Sequence, residues 1–223
     1  MLKRTITAEL IKKFNEMLHK ILDDIDNKDY EGALNLIDAA FKDIFRLSIK
    51  FFNSLSLENI MEMVKINGSI VTDKCIMMAK LLEEEGNILE NQNKLDDAFY
   101  IHQKSLNLFL EAYLNGDSTN CGLKNYFSDI DPLINKVCEY KLYFTLLSKI
   151  ADYYAETKRY DKADNVIYEI LGENDYDEKH IKFSIEFYEN LLLKSDNDLN
   201  SGNLPREEIE QSLSSLRNML QNK

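Results

Sequence analysis

The sequence predicts an all-α protein, on three observations. Apolar residues recur at helical spacing along nearly the whole chain, only 7 Gly and 2 Pro interrupt its 223 residues, and one polar turn motif occurs three times. So few backbone breakers argue against a strand-and-turn protein and for long uninterrupted helices.

Taken in order, Leu10, Phe14, Met17, Leu18, Ile21 and Leu22 form one face of a first helix, broken at Asn27-Lys28-Asp29. Tyr30, Ala33, Leu34, Ile37, Phe41, Ile44 and Phe45 line a second. Ser54-Leu55-Ser56 ends it and offers an N-cap for a short third helix over Leu57–Lys65. Asn67-Gly68-Ser69 reads as a turn, followed by a fourth helix from Thr72 to Glu90 and a fifth from Leu95 to Tyr113. Residues 115–128 are irregular, and a subdomain break is expected at 115–130. Asp131-Pro132 reads as a cap with proline in the first helical position, opening a sixth helix that runs to Glu156. Tyr160, Ala163, Ile167 and Ile170 mark a seventh, and residues 178–194 an eighth. A polar linker over 195–203 leads to a ninth helix over 204–223, with Ile209, Leu213, Leu216 and Leu220 on one edge.

The repeated turn is Asn27-Lys28-Asp29-Tyr30-Glu31-Gly32-Ala33, then Gln92-Asn93-Lys94-Leu95-Asp96-Asp97-Ala98, then Thr157-Lys158-Arg159-Tyr160-Asp161-Lys162-Ala163. In each, a large residue plugs the hairpin base and an acidic residue suits the helix N-terminus. The alanine then lets the second helix lie close to the first. Gly86 stands twelve residues before Ala98, and Ala151 twelve before Ala163, with Leu82, Leu89, Leu147, Ile150 and Tyr154 at apolar positions around them. In this the chain resembles tetratricopeptide repeats. The resemblance implies stacked antiparallel helix hairpins in a right-handed superhelix of about nine helices, forming a single helical-repeat domain over 1–223. The first copy departs from the pattern, with Ile21 where a small residue is expected. The motif alanines lie 65 residues apart, so extra material interrupts the array. Residues 53–58 and 80–88 also resemble an uncharacterised bacterial family of unknown function, which brings no activity with it. Within the tight pair, Ala98→Leu is expected to overpack at a cost of roughly 1–3 kcal/mol, and Asn93→Ala to cost little.

The net charge of −12 opposes nucleic-acid and anionic membrane surfaces, and no Lys/Arg stripe offsets it. No apolar run follows the basic residues Lys3 and Arg4, and none reaches membrane-spanning length. Cys75, Cys121 and Cys138 form no CxxC pair, which fits a reducing, cytoplasmic setting.

No Gly-rich phosphate loop, GxSxG elbow or HExxH motif occurs, so no enzyme, cofactor or metal is expected. Glu16 and His19 have the Glu-x-x-His spacing of di-iron bundles, but neither His102 nor His180 supplies a second copy. His102, on an apolar face, reads as a packed core histidine, Cys75 as a buried thiol, and Cys121 as a loop cysteine open to reaction. The aromatic runs Tyr140–Phe144 and Tyr153-Tyr154 read as core or as an exposed groove.

In tetratricopeptide proteins that grip a peptide C-terminus, the inner face of the first helix carries Lys and Asn one turn apart. The matching positions here are Glu83 and Asn87, followed by Glu90, and in the third copy Ser148 and Asp152. These five are the candidate partner-binding residues, on an acidic face suited to a basic protein or peptide; the same run also reads as a plain solvated face. The expected function is non-enzymatic protein or peptide binding. The alternatives are a homodimer assembled through the C-terminal helix, which otherwise caps its own stack, and, third, a peptide-responsive regulatory sensor.

Overall fold

The computed structural model of the chain describes residues 2–117, 119–172 and 177–221, with side chains from Ala8 onward. Ser118, in the expected irregular stretch, and residues 222 and 223, at the end of the expected last helix, lie outside them. Twelve α-helices and one two-stranded hairpin are formed among the described residues. The chain divides into two compact units, residues 1–140 and 141–223. The stretch 115–130, where a break was expected, lies inside the first.

The first unit holds α1 (Leu2–Asp26), α2 (Tyr30–Phe45), α3 (Ile49–Ser54), α4 (Leu57–Met63), β1 (Lys65–Ile66), β2 (Ser69–Ile70), α5 (Thr72–Asn91), α6 (Leu95–Asn115) and α7 (Ile130–Val137). Local chemistry sets several boundaries. Asp29 caps α2 by accepting from Gly32 N at 2.9 Å, and Ser48 and Ser56 cap α3 and α4. Asn67 and Gly68, both at positive φ (52° and 77°), close β1 on β2, as the twist of a two-residue hairpin turn requires.

Helix α5 is the centre of this unit, with α1, α2 and chiefly α6 packed around it. Consequently its polar residues Thr72, Asp73, Lys80, Glu83, Glu84 and Glu85 are buried along with its apolar ones. The α5–α6 pair is stitched by side chains that reach across to backbone: Ser105 Oγ donates to Ala79 O at 2.7 Å, and Cys75 Sγ to Leu108 O at 3.2 Å. At Gly86 the His102 side chain of α6 packs directly on the α5 backbone. A Cβ there would lie 2.4 Å from Cε1 of His102.

The second unit holds α8 (Phe144–Glu156), α9 (Tyr160–Gly172), α10 (Glu178–Leu192), α11 (Asp196–Ser201) and α12 (Arg206–Gln221). Two expectations are corrected around it. The single helix expected over 131–156 is two, because residues 138–143 leave helical conformation. Asp131 is not its cap: a 3-10 helix over Lys124–Asp129 runs straight into α7, placing Pro132 within the first turn, where its missing N–H is harmless. The segment expected as a polar linker is also structured. Ser195 caps α11 by accepting from Asp198 N, Asp198 accepts from Tyr160 Oη at 2.9 Å, and Asp161 N donates to Gly202 O at 3.1 Å. A Cβ on Gly202 would sit 2.2 Å from the Tyr160 ring, so only glycine allows that contact. Helix α12 packs on α10 of its own chain through Ile209, Leu213 and Leu216, while Leu220 is half-buried. Arg206 donates to Leu192 O and Lys194 O, satisfying carbonyls at the end of α10.

The three turns share one backbone. Lys28, Asn93 and Lys158 all adopt the left-handed conformation (φ 59°, 60° and 57°), each five residues before its motif alanine. The next N–H in each reaches back five residues: Asp29 N to Asp24 O, Lys94 N to Leu89 O and Arg159 N to Tyr154 O, at 2.8–2.9 Å. Ala33, Ala98 and Ala163 are all buried. The left-handed turn revises one expectation. Asn93→Ala is not free, because an alanine there carries the left-handed penalty of about 1 kcal/mol. Asn93→Gly should be neutral or slightly stabilising. Ala98→Leu should still cost roughly 1–3 kcal/mol. Urea denaturation of the three variants checks this order; equal effects for Ala and Gly at 93 would remove the turn argument.

Candidate functional site

The buried charges of α5 organise the first unit's polar interior. Lys80 Nζ donates to Glu83 Oε2 and Asp129 Oδ2, each at 2.9 Å, and lies 2.9 Å from Glu84 Oε1. The Tyr126 ring stands 5.7 Å from the same ammonium. Glu84 Oε2 accepts from Asn87 Nδ2 at 3.0 Å, while Asn87 Oδ1 and Glu90 Oε2 receive Lys136 Nζ at 2.8 and 2.5 Å. The network therefore runs from Asp129 through Lys80, Glu83, Glu84 and Asn87 to Lys136 and Glu90. Two lysines neutralise an acidic stripe that would otherwise be expensive to bury.

The segment between α6 and α7 is held over this stripe. Asp73 Oδ1 accepts from Gly122 N at 2.9 Å, Leu123 N at 3.1 Å and Cys121 Sγ at 3.3 Å. Burial, with the nearby Asp73 carboxylate, pushes the Cys121 thiol up to about 11, so Cys121 is not the reactive loop thiol its sequence position suggested.

Glu83 is thus turned inward, contrary to a plain solvated face, and Asn87 and Glu90 are half-buried, gripping Lys136. Ser148 and Asp152 lie on α8 in the second unit. Ser148 Oγ donates to Thr145 O at 3.2 Å, and Asp152 reaches solvent. Partial dehydration against the helix surface, and the neighbouring Glu156 and Glu186, push Asp152 up to about 6. Sequence reasoning missed Lys80, Asp129, Lys136 and Asn53. Lys80 was detectable at i−3 and i−4 from Glu83 and Glu84; Asp129 and Lys136 come from more than 45 residues away.

His102 is packed in the interior at 1% exposure, with its Nε2 3.2 Å from Glu90 Oε1 but not aligned for a hydrogen bond. It borders a cavity of about 270 Å³ with Glu90, Leu95, Phe99, Lys136 and Tyr140. Burial, then Lys136, pull its pKa down to about 4. A second cavity, of about 470 Å³, lies against Asn53, Glu85 and Tyr100. In the second unit a cleft of about 410 Å³ between α9, α10 and α12 contains Tyr188, whose Oη donates to Asp164 at 2.6 Å. His180 is stacked on Phe144 at 4.5 Å, and His19 faces solvent beside Asp23. Among the described residues no group of three or more His, Cys, Asp or Glu is placed to hold a metal, and no helix is long and apolar enough to cross a membrane.

Three buried groups carry a pH signature. Burial raises Glu83 and Glu85 from 4.5 to about 7. Between those values the folded chain holds protons that the unfolded chain has released, so both make stability fall as pH rises. His102 works the other way. Between about 4 and 6.5 the unfolded chain holds a proton the folded one lacks, so its contribution rises with pH. His102→Leu removes that opposing contribution. Unfolding free energies from urea titrations between pH 4.5 and 6.5 should then fall more steeply with rising pH in the variant than in the parent, by at most about 1.4 kcal/mol per pH unit. Parallel curves would mean that His102 titrates normally.

No curated protein matches the chain, and no solved structure does. A family model matches residues 1–221, and by it the chain belongs to a family of unknown function, DUF6483.

Proposed function

We propose that the chain is a non-enzymatic protein- or peptide-binding module built on tetratricopeptide-like hairpins, with a preference for basic partners. The shared left-handed turns and buried motif alanines support the repeat reading; they speak to architecture, and function is argued from surface chemistry. The observation that carries the reading lies at the start of α6. Leu95, Tyr100 and Tyr140 are exposed around the half-buried Phe99, whose ring stacks on Tyr140 at 4.2 Å. Asp96, Asp97 and Glu139 are exposed beside them, and Glu90 borders the same surface. Exposed aromatics rimmed by like charges suit an interface with an opposite-charged partner. Lysine recognition already occurs nearby, where Asn87 and Glu90 hold Lys136.

The test is affinity capture with the full chain and with the Leu95→Ala, Tyr100→Ala double variant, followed by titration of any purified partner. Both side chains are exposed, so the variant should fold. A partner bound by the parent and at least tenfold more weakly by the variant supports the reading (about 1.4 kcal/mol). Equal binding by both would remove this surface from the function.

A further inference from the structure

The face of α5 opposite the lysine network presents a different chemistry. Asn53 Nδ2 donates to Glu85 Oε1 at 2.7 Å, which leaves Glu85 Oε2 and Asn53 Oδ1 buried with no hydrogen-bond donor. Glu85 is only 7% exposed. The nearby cation does not serve them: Lys104 Nζ donates to Asn53 O at 2.7 Å and Leu55 O at 3.1 Å, at the end of α3. An unpaired buried carboxylate oxygen and an unpaired buried amide oxygen are each costly, so both call for a donor.

Both residues line the 470 Å³ cavity, together with Leu89, Asp97, Tyr100, Ile101 and Lys104. Leu89 and Ile101 give it an apolar wall, and Tyr100, 60% exposed, stands at its edge, where its ring can turn to widen the mouth. The lining carries two carboxylates against one ammonium that is already engaged. We infer that this cavity, opened by a turn of the Tyr100 ring, is a binding site for the ammonium end of an alkyl amine, which meets Glu85 Oε2 and Asn53 Oδ1, both closed to solvent in the resting chain, and lays its stem along Leu89, Ile101 and the Tyr100 ring. A primary ammonium supplies donors where two acceptors lack them, and a cation beside an aromatic ring gains further attraction. An anion or a bare apolar group would leave both oxygens unpaired. The site deepens the reading above, with which it shares Tyr100. Its test uses small amines, so that it fails or succeeds separately from partner capture.

Titration calorimetry of the full chain at pH 8 is run with cadaverine, with Nα-acetyl-lysine methylamide, and with the Nε-acetylated form of the latter. At least one of the two amines should bind and the acetylated form should not. Glu85→Gln keeps the shape and the Asn53 bond but removes the charge; it should weaken binding roughly 10- to 100-fold. Tyr100→Ala, at an exposed position, should weaken it roughly 2- to 5-fold, and keeps the test open if Glu85→Gln fails to fold. Binding of cadaverine alone assigns a small free amine, and binding of the lysine amide alone assigns a side chain of a partner protein; either supports the site. No saturable binding of either amine, or binding unchanged in the folded variants, overturns it. The two oxygens would then be met by water or by the carboxyl's own proton.

Discussion

Replacing Lys80 with Met should destabilise the chain by about 3–5 kcal/mol, the loss expected when one partner of a buried ion cluster is removed. The methionine keeps most of the stem volume and removes only the ammonium. Glu83, Glu84 and Asp129 then face one another, each having lost a partner at 2.9 Å, in a place where Lys80 itself is only 9% exposed. Burial alone would lower the lysine's pKa, but Glu84 and Glu83 outweigh it and hold the ammonium above the ordinary lysine range. The penalty should shrink in acid, where Glu83, raised to about 7 by burial, takes up a proton, and should be reduced by adding Glu83→Gln. Chemical denaturation at pH 7.5 and pH 5 measures both effects. A loss below about 1 kcal/mol would place the cluster among hydrated surface pairs.

The second large effect is a reversal of sign. Gly86→Ala should cost about 1–3 kcal/mol in the parent, because the new methyl would enter the His102 ring, whose Cε1, Nδ1 and Nε2 would lie 2.4, 2.5 and 2.8 Å away. In a His102→Ala background the ring is gone, and the same substitution should stabilise by up to about 1 kcal/mol, the helix preference of alanine over glycine. A double-mutant cycle reads the coupling directly. Additive effects would mean that the two helices relax apart, and would remove the close pair on which the hairpin rests.

What the sequence disclosed follows from what is local. The Ser56 cap and the turns around Lys28, Asn93 and Lys158 depend on a few adjacent residues, and their positions were readable; the caps at Asp29 and Ser48 were not anticipated, and Asp131, expected as a cap, is none. Residues 138–143 were not, because the apolar spacing continues through a stretch that the backbone leaves. Helix α11 was hidden in a run of Ser, Asp and Asn whose polarity suits a linker as well as a short capped helix. The acidic run Glu83–Glu85 was the hardest to read. Charged residues in a row usually face water; here Glu83 pairs with Lys80 three residues before it, and Asp129, from far along the chain, closes on the same lysine. Glu85 faces the other way, and its partner Asn53 lies 32 residues upstream. Local pattern thus located most of the long helices, though not the short α3 and α11 or the break between α7 and α8, while long-range pairing decided which of their charges are surface and which are interior.

The reactivity of Lys80 tests most directly which of these charges are interior. The intact chain is treated briefly with an amine-acylating reagent at pH 8, and modification is followed at each lysine by peptide mass spectrometry. Lys80, enclosed by Glu83, Glu84 and Asp129, should be labelled at least tenfold more slowly than the exposed Lys12, Lys50 and Lys94, and at their rate once the chain is unfolded in urea (roughly 1.4 kcal/mol of protection or more). Labelling of Lys80 as fast as Lys12 in the folded chain would show the α5 stripe to be open to solvent, and would contradict the sealed network.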